Sequence, residues 1–231
     1  MSQLFQAEDG YYALTKSGTI AFMVIVALLI VSIAFLIKRE TASEKPRKQK
    51  VFSARQLAFS AMAIALGFIT SYIKIVHMPW GGSITLCSML FVTLIGYWYG
   101  PAVGLVAGFA YGFLQFVQTG ASYILSPTQA CMDYILAFAA LGLSGLFYRK
   151  TNGLIKGYLF AIFMRGVFHS IGGYLYWMDY MPDSFPQFLV PVYPIVYNYA
   201  YILAEGLITI VILSIPAVKN AMGRVKTLAA E

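Results

Sequence analysis

The sequence predicts an all-α integral membrane protein, a six-helix bundle preceded by one extra N-terminal transmembrane helix. Three observations predict it. Of 231 residues, 60% are hydrophobic and only 11% are charged, whereas a soluble domain is nearer half apolar and a quarter charged. The apolar residues run in long stretches rather than in alternation, which favours spanning helices over a β-barrel. The basic residues behind the formal charge of +7 sit in short segments between those stretches. That placement sets orientation in a bilayer and argues against a nucleic-acid partner.

Residues 1–37 form an N-terminal extension. Its first 18 residues are polar and aromatic, with Gln3, Glu8, Asp9, Tyr11 and Tyr12. Residues 19–37 are a near-unbroken apolar run, long enough to cross about 30 Å of hydrocarbon. The basic cluster follows this run rather than preceding it, and no small-residue cleavage site is evident. It therefore reads as an uncleaved helix with its N-terminus outside, not as a signal peptide. Residues 38–55 are a basic linker containing Lys38, Arg39, Lys45, Arg47, Lys48, Lys50 and Arg55. Such a run belongs in the cytoplasm, against anionic lipid headgroups.

Residues 56–218 carry six further candidate spans. The first, 56–75, is rich in alanine. The second, 84–99, ends at Tyr97-Trp98-Tyr99-Gly100-Pro101, an aromatic belt and a turn. The third, 102–118, places Gly104, Gly108 and Gly112 on one face, a spacing that lets helix backbones approach closely. The fourth, 128–148, opens with Ser126 as N-cap and Pro127 at the first helical position. Spans at 157–177 and 193–215 complete the set, and Pro216 ends the last. Residues 219–231 form a cytoplasmic tail. With the first helix running from outside to inside, thirteen of the sixteen Lys and Arg fall on the cytoplasmic side. They are the seven linker bases with Arg149, Lys150, Lys156, Lys219, Arg224 and Lys226, whereas the outer loops hold only Lys74. The expectation is a multi-pass plasma-membrane protein, N-terminus outside and C-terminus cytoplasmic.

Chemistry concentrates in the outer half of the later helices. Asp133 lies about two turns into its apolar helix, where a carboxylate is costly and marks function. Arg165 and His169 share a face of the next helix, and Trp177 lies on that face about 12 Å nearer the outside. Tyr193, Asn198 and Glu205 follow along the last helix, with Trp80 and Tyr123 in or beside outer loops. An acid, an imidazole, an amide and several rings converging on the outward side predict a pocket open to the exterior. Its charge type suits a flat, cationic heteroaromatic ligand. Simpler roles compete: Asp133 as a helix-pairing partner of Arg165, Glu205 as its neutraliser, His169 as a packing histidine, and Trp177 or Tyr193 as interfacial anchors.

Catalysis has little support. GxSxG, HExxH and Cys or His metal spacings are absent, and Cys87 and Cys131 read as packing residues. No GxxxxGK[ST] is present, so uphill transport would draw on a partner or an ion gradient.

Several segments in fixed order carry a resemblance over about residues 54–216. They are Pro79-Trp80-Gly81-Gly82-Ser83-Ile84, then Gly120 to Ser126 running through Gln129 to Asp133-Tyr134, then Ala137-Phe138 and Leu141 to Phe147. His169 with Gly173 and Trp177, and Tyr193 five before Asn198, complete the pattern. In order and spacing these resemble the ThiT family, the thiamine-binding substrate subunits (S components) of energy-coupling factor (ECF) transporters. The resemblance implies a six-helix S-component bundle holding thiamine near the outer face. It implies ligand contacts at Asp133, Tyr134, His169, Trp177, Tyr193, Asn198, Tyr123 and Trp80, with Arg165 and Glu205 as secondary candidates. It implies partners: a transmembrane coupling subunit and two cytoplasmic ATPase subunits, which use the ATP, so the chain itself needs no cofactor. A small-residue signature that docks the membrane partner would fall on Ala58, Ala61 and Ala65. Some members carry glutamate where this chain has Asp133, and the shorter arm leaves room for a related ligand. Rival readings are an S component for a thiamine precursor or another small heterocycle, and a membrane enzyme using Asp133, His169 and Glu205.

Overall fold

The computed structural model describes residues 5–8, 11–14, 53–79, 81–119 and 124–230, with isolated positions 17, 20, 24, 31 and 38. Trp80, Tyr123, most of the 19–37 run and nearly all of the basic linker lie outside the described residues; the isolated positions are helical. Near the N-terminus, β1 (Phe5–Glu8) pairs antiparallel with β2 (Tyr11–Leu14).

Helix α1 (Ala54–Ser71) begins at a capping box: Ser53 Oγ accepts from Gln56 N, and Gln56 Oε1 accepts from Ser53 N. The chain then leaves the helix for a hairpin, β3 (Lys74–His77) against β4 (Ser83–Thr85), turning through Gly81 and Gly82 at positive φ. Helix α2 (Ser88–Tyr99) has 12 residues, about 18 Å of rise. The expected span at 84–99 is therefore shortened, because its first residues pair as β4. Gly100, at φ +90°, turns the chain into α3 (Pro101–Gln118). Helix α4 (Pro127–Phe147) follows, then α5 (Gly153–Tyr176), with β2 lying against α5 and the short turn Met178–Tyr180. Helix α6 (Tyr193–Ser214) completes the bundle, and α7 (Pro216–Ala230) runs through the expected tail.

Among the described residues, five segments are long and apolar enough to cross a membrane: α1, α3, α4, α5 and Gln187–Ser214, which contains α6. Large apolar side chains such as Leu57, Phe109, Leu207 and Val211 point outward, as a lipid-facing surface requires. Inside, Val92, Ile95, Leu141, Tyr158, Ile162 and Ile202 are fully buried. The glycine stripe of α3 does what its spacing predicts. A Cβ on Gly104 would come within 2.6 Å of Gly142 O, one on Gly108 within 2.6 Å of Phe138 O, and one on Gly112 would strike Tyr134 O. The backbones of α3 and α4 thus touch directly. Helix α4 is not uniform: Cys131–Leu136 widen to a π-helical turn and Ala140–Phe147 tighten to 3-10 geometry.

Candidate functional site

The ends of α1, α3 and α5, the starts of α2, α4 and α6 and the β3–β4 hairpin meet at one end of the bundle around a cavity of about 360 Å³. Helix α4 supplies the acidic wall. Ser126 Oγ accepts from Gln129 N, and Pro127 takes the first helical position, as the sequence predicts. Gln129 Oε1 accepts from Leu125 N at 3.1 Å, which fixes the side chain so that its Nε2 donates to Asp133 Oδ2. Asp133 sits in the π-helical turn, the kind of local widening that re-aims side chains at functional sites.

Helix α5 faces it. His169 Nδ1 lies 3.3 Å from Asp133 Oδ1, and Trp177 Nε1 donates to Asp133 Oδ2 at 3.2 Å. Gly172 makes the room, since a Cβ there would lie 2.9 Å from Asp133 Oδ1. The carboxylate therefore has three polar partners, Gln129 of α4 with His169 of α5 and Trp177 at its end, and retains lone-pair capacity for a fourth. The alternative pairing with Arg165 does not form: Arg165 Nε donates to His169 Nε2 at 3.2 Å, and its guanidinium lies 4.2 Å from the Phe138 ring centroid.

Helix α6 contributes a tyrosine ladder at i, i+4, i+8. Tyr193 and Tyr197 have ring centroids 5.7 Å apart, Tyr197 and Tyr201 6.3 Å. Tyr201 stands edge-on to His169, and its hydroxyl donates to Asn198 Oδ1 at 2.9 Å. Asn198 Nδ2 is committed to the carbonyls of His169 and Pro194. Asn198 thus orients its neighbours as well as lining the cavity. Tyr197 donates to Gly81 O at 3.0 Å, tying the hairpin to α6.

Glu205 does something the sequence did not indicate. Only 2% exposed, it accepts from Thr85 N (3.0 Å), Thr85 Oγ1 (2.6 Å), Met89 N (3.0 Å) and Ser88 Oγ (3.2 Å). It caps the start of α2 from another helix, where the helix dipole favours a negative charge. Neutralising Arg165 is not its contact.

Asp133, Tyr134, His169, Trp177, Tyr193, Asn198, Arg165 and Glu205 all line this one cavity. Trp80 and Tyr123 lie outside the described residues. Ala58, Ala61 and Ala65 are elsewhere, exposed along α1. Sequence reasoning missed Gln129, Phe138, Tyr197 and Tyr201 as lining residues. Their only signals are helical spacing: Gln129 is four before Asp133, and the two tyrosines continue the series from Tyr193. Among the described residues no three His, Cys, Asp or Glu side chains converge to hold a metal ion.

Residues 57–223 match the family described as Thiamine transporter protein (Thia_YuaJ). The chain belongs to this thiamine transporter family. The thiamine transporter ThiT of Bacillus subtilis (strain 168) is 30% identical over 179 residues, covering 72% of this chain and 90% of that protein. ThiT of Lacticaseibacillus paracasei is 27% identical over 185 residues, covering 73% and 87%. The solved structure of ThiT from Listeria monocytogenes superposes with a TM-score of 0.54 at 25% identity, covering 70% of this chain and 94% of that one. The fold is thus the six-helix bundle of ThiT. The family match begins inside α1, so β1, β2 and the basic linker precede it.

Proposed function

We propose that this chain is the substrate-capturing S component of an ECF-type importer and that its ligand is thiamine. The observation that carries the reading is Asp133, an oriented carboxylate on the wall of a cavity rich in rings and amides, where the other acid, Glu205, is taken up by the start of α2. Thiamine joins an aminopyrimidine to a thiazolium with a fixed positive charge. Asp133 offers the counter-charge, while Trp177, Tyr197, Tyr201 and the imidazole of His169 offer ring faces and edges. The cavity volume of about 360 Å³ is in the range of small-ligand sites. The relatives named as thiamine transporters support the same ligand.

The test is a titration of purified protein with thiamine, followed by tryptophan fluorescence. Trp177 donates to Asp133, so its emission reports on the site. Quenching at submicromolar thiamine is expected. Silence with thiamine but a response to a thiamine precursor or another vitamin would reassign the ligand. Recovery of chemically altered thiamine from the protein alone, read by mass spectrometry, would favour an enzyme.

Inward release would need a transmembrane coupling subunit and two cytoplasmic ATPases, because the chain carries no phosphate-binding loop of its own. The cavity would then face outward, with the N-terminus outside and the C-terminus in the cytoplasm. Single cysteines in the 178–192 loop and in α7 test this orientation. The first should react with an impermeant maleimide in intact cells and the second only after lysis.

A further inference from the structure

Arg165 is a cavity residue whose chemistry the proposed ligand does not explain. It is 9% exposed in an apolar helix, and among the described residues no carboxylate lies within salt-bridge distance of it. A buried guanidinium without a counter-ion is costly and is kept for a reason. Its side chain is held over the Phe138 ring at 4.2 Å, and its Nε points at His169 Nε2 at 3.2 Å.

That contact fixes the state of the imidazole. A guanidinium N–H can only donate, so His169 Nε2 must accept and must carry no proton. The ring proton then sits on Nδ1, where it can donate to Asp133 Oδ1 at 3.3 Å. A second proton, on Nε2, would set two donors face to face beside a fixed positive charge. The chain Arg165–His169–Asp133 therefore has one consistent pattern of donors: Arg165 to imidazole, imidazole to carboxylate. Asp133 from α4, Tyr201 from α6 and Arg165 from its own helix contact the ring, and Tyr134 and Glu205 line the same cavity. Glu205 is already held by the start of α2, and Lys74 and His77 of the hairpin line the same cavity.

We propose that Arg165 is a positioning residue that holds His169 as the neutral Nδ1–H tautomer, so that Asp133 keeps its full negative charge for a cationic ligand. An imidazolium at His169 would pair with Asp133 and compete with the ligand for it. Arg165 adds to the burial of the ring in opposing that competitor. The inference concerns the thiamine site proposed above and rests on that reading for its functional half only; the tautomer is a property of the free protein.

The chain has two histidines, so histidine-selective ¹⁵N labelling gives a spectrum of two rings, assigned with His77→Gln. Full-length wild-type protein without ligand should show His169 protonated at Nδ1 and unchanged between pH 6 and 8. In Arg165→Met, Nε2 loses its donor, and His169 should take up a second proton within that window, where imidazoles ordinarily titrate. Thiamine affinity of Arg165→Met should then fall by about fivefold or more from pH 8 to pH 6, while that of wild type stays level. Arg165→Lys keeps a donor toward Nε2 and should restore the wild-type tautomer and the level profile. A wild-type ring protonated at Nε2, or titrating within the window, overturns the proposal. So does an Arg165→Met protein whose ring and pH profile match wild type. If Arg165→Met does not fold, the wild-type spectrum and Arg165→Lys still decide. Failure of wild type to bind thiamine at any pH would sink the ligand assignment and leave the tautomer result standing.

Discussion

Asp133 is tolerable in an apolar helix because three polar partners reach it from two helices: Gln129, His169 and Trp177. Substitution of Asp133 by asparagine keeps the size and removes the charge. One face of the amide must then turn N–H groups toward donors that already point inward. Thiamine affinity of Asp133→Asn, measured by calorimetry, should drop by about thirtyfold or more, since a desolvated charge contact is lost. Unchanged affinity would make Asp133 a structural acceptor for α5. This residue was legible in the sequence because a carboxylate stands out in an apolar run, and His169, Trp177 and Asn198 stood out for the same reason. Gln129 did not, because a glutamine one turn into a helix is ordinary. Tyr197 and Tyr201 were lost among seventeen tyrosines. The role of Glu205 was hidden differently: its partners Thr85 and Met89 lie more than a hundred residues away in sequence, and no local pattern encodes such a contact.

At the scale of elements, what repeats with helical period was readable and what depends on a neighbour was not. The spans of α1, α3, α4, α5 and α6 followed from their apolar runs, and the α3 glycine stripe announced its own packing. The shortening of α2 did not, since Ser83–Thr85 become a strand only by pairing with Lys74–His77. Nor did the π-helical turn at Cys131–Leu136, which places Asp133 toward α5. The glycine contact gives a direct stability test. In Gly108→Val the new side chain meets Phe138 O and Ala139 Cα, both backbone atoms that cannot rotate away. Overpacking of about 1–3 kcal/mol or more should follow, seen as a lower midpoint in thermal unfolding in detergent. Gly223→Ala serves as the comparison, because nothing lies within 4 Å of its added Cβ. It should leave the midpoint unchanged or slightly raised.

For the molecule as a whole, the cavity and the outer face of α1 are separate surfaces. The cavity closes one end of the bundle, while α1 contributes only Ala63, Gly67 and Ser71 to the buried interior. The opposite side of α1 presents Leu57, Ala58, Ala61, Met62, Ala65 and Leu66 to the surroundings. Lipid alone would be satisfied by large apolar side chains there. The small residues Ala58, Ala61 and Ala65, spaced three and four apart, are of the kind that would let another helix backbone approach closely. A coupling subunit docked there would feel the tilt of α1 without touching thiamine. Ala61→Trp would block that approach. Thiamine affinity of the purified variant should match wild type, whereas co-purification with the coupling subunit and ATP-dependent thiamine uptake in cells should both be lost. Full uptake by Ala61→Trp would leave this face to lipid. A loss of affinity would mean that α1 transmits its outer packing to the cavity through Ser71, whose hydroxyl accepts from Gln115 Nε2 at 3.0 Å.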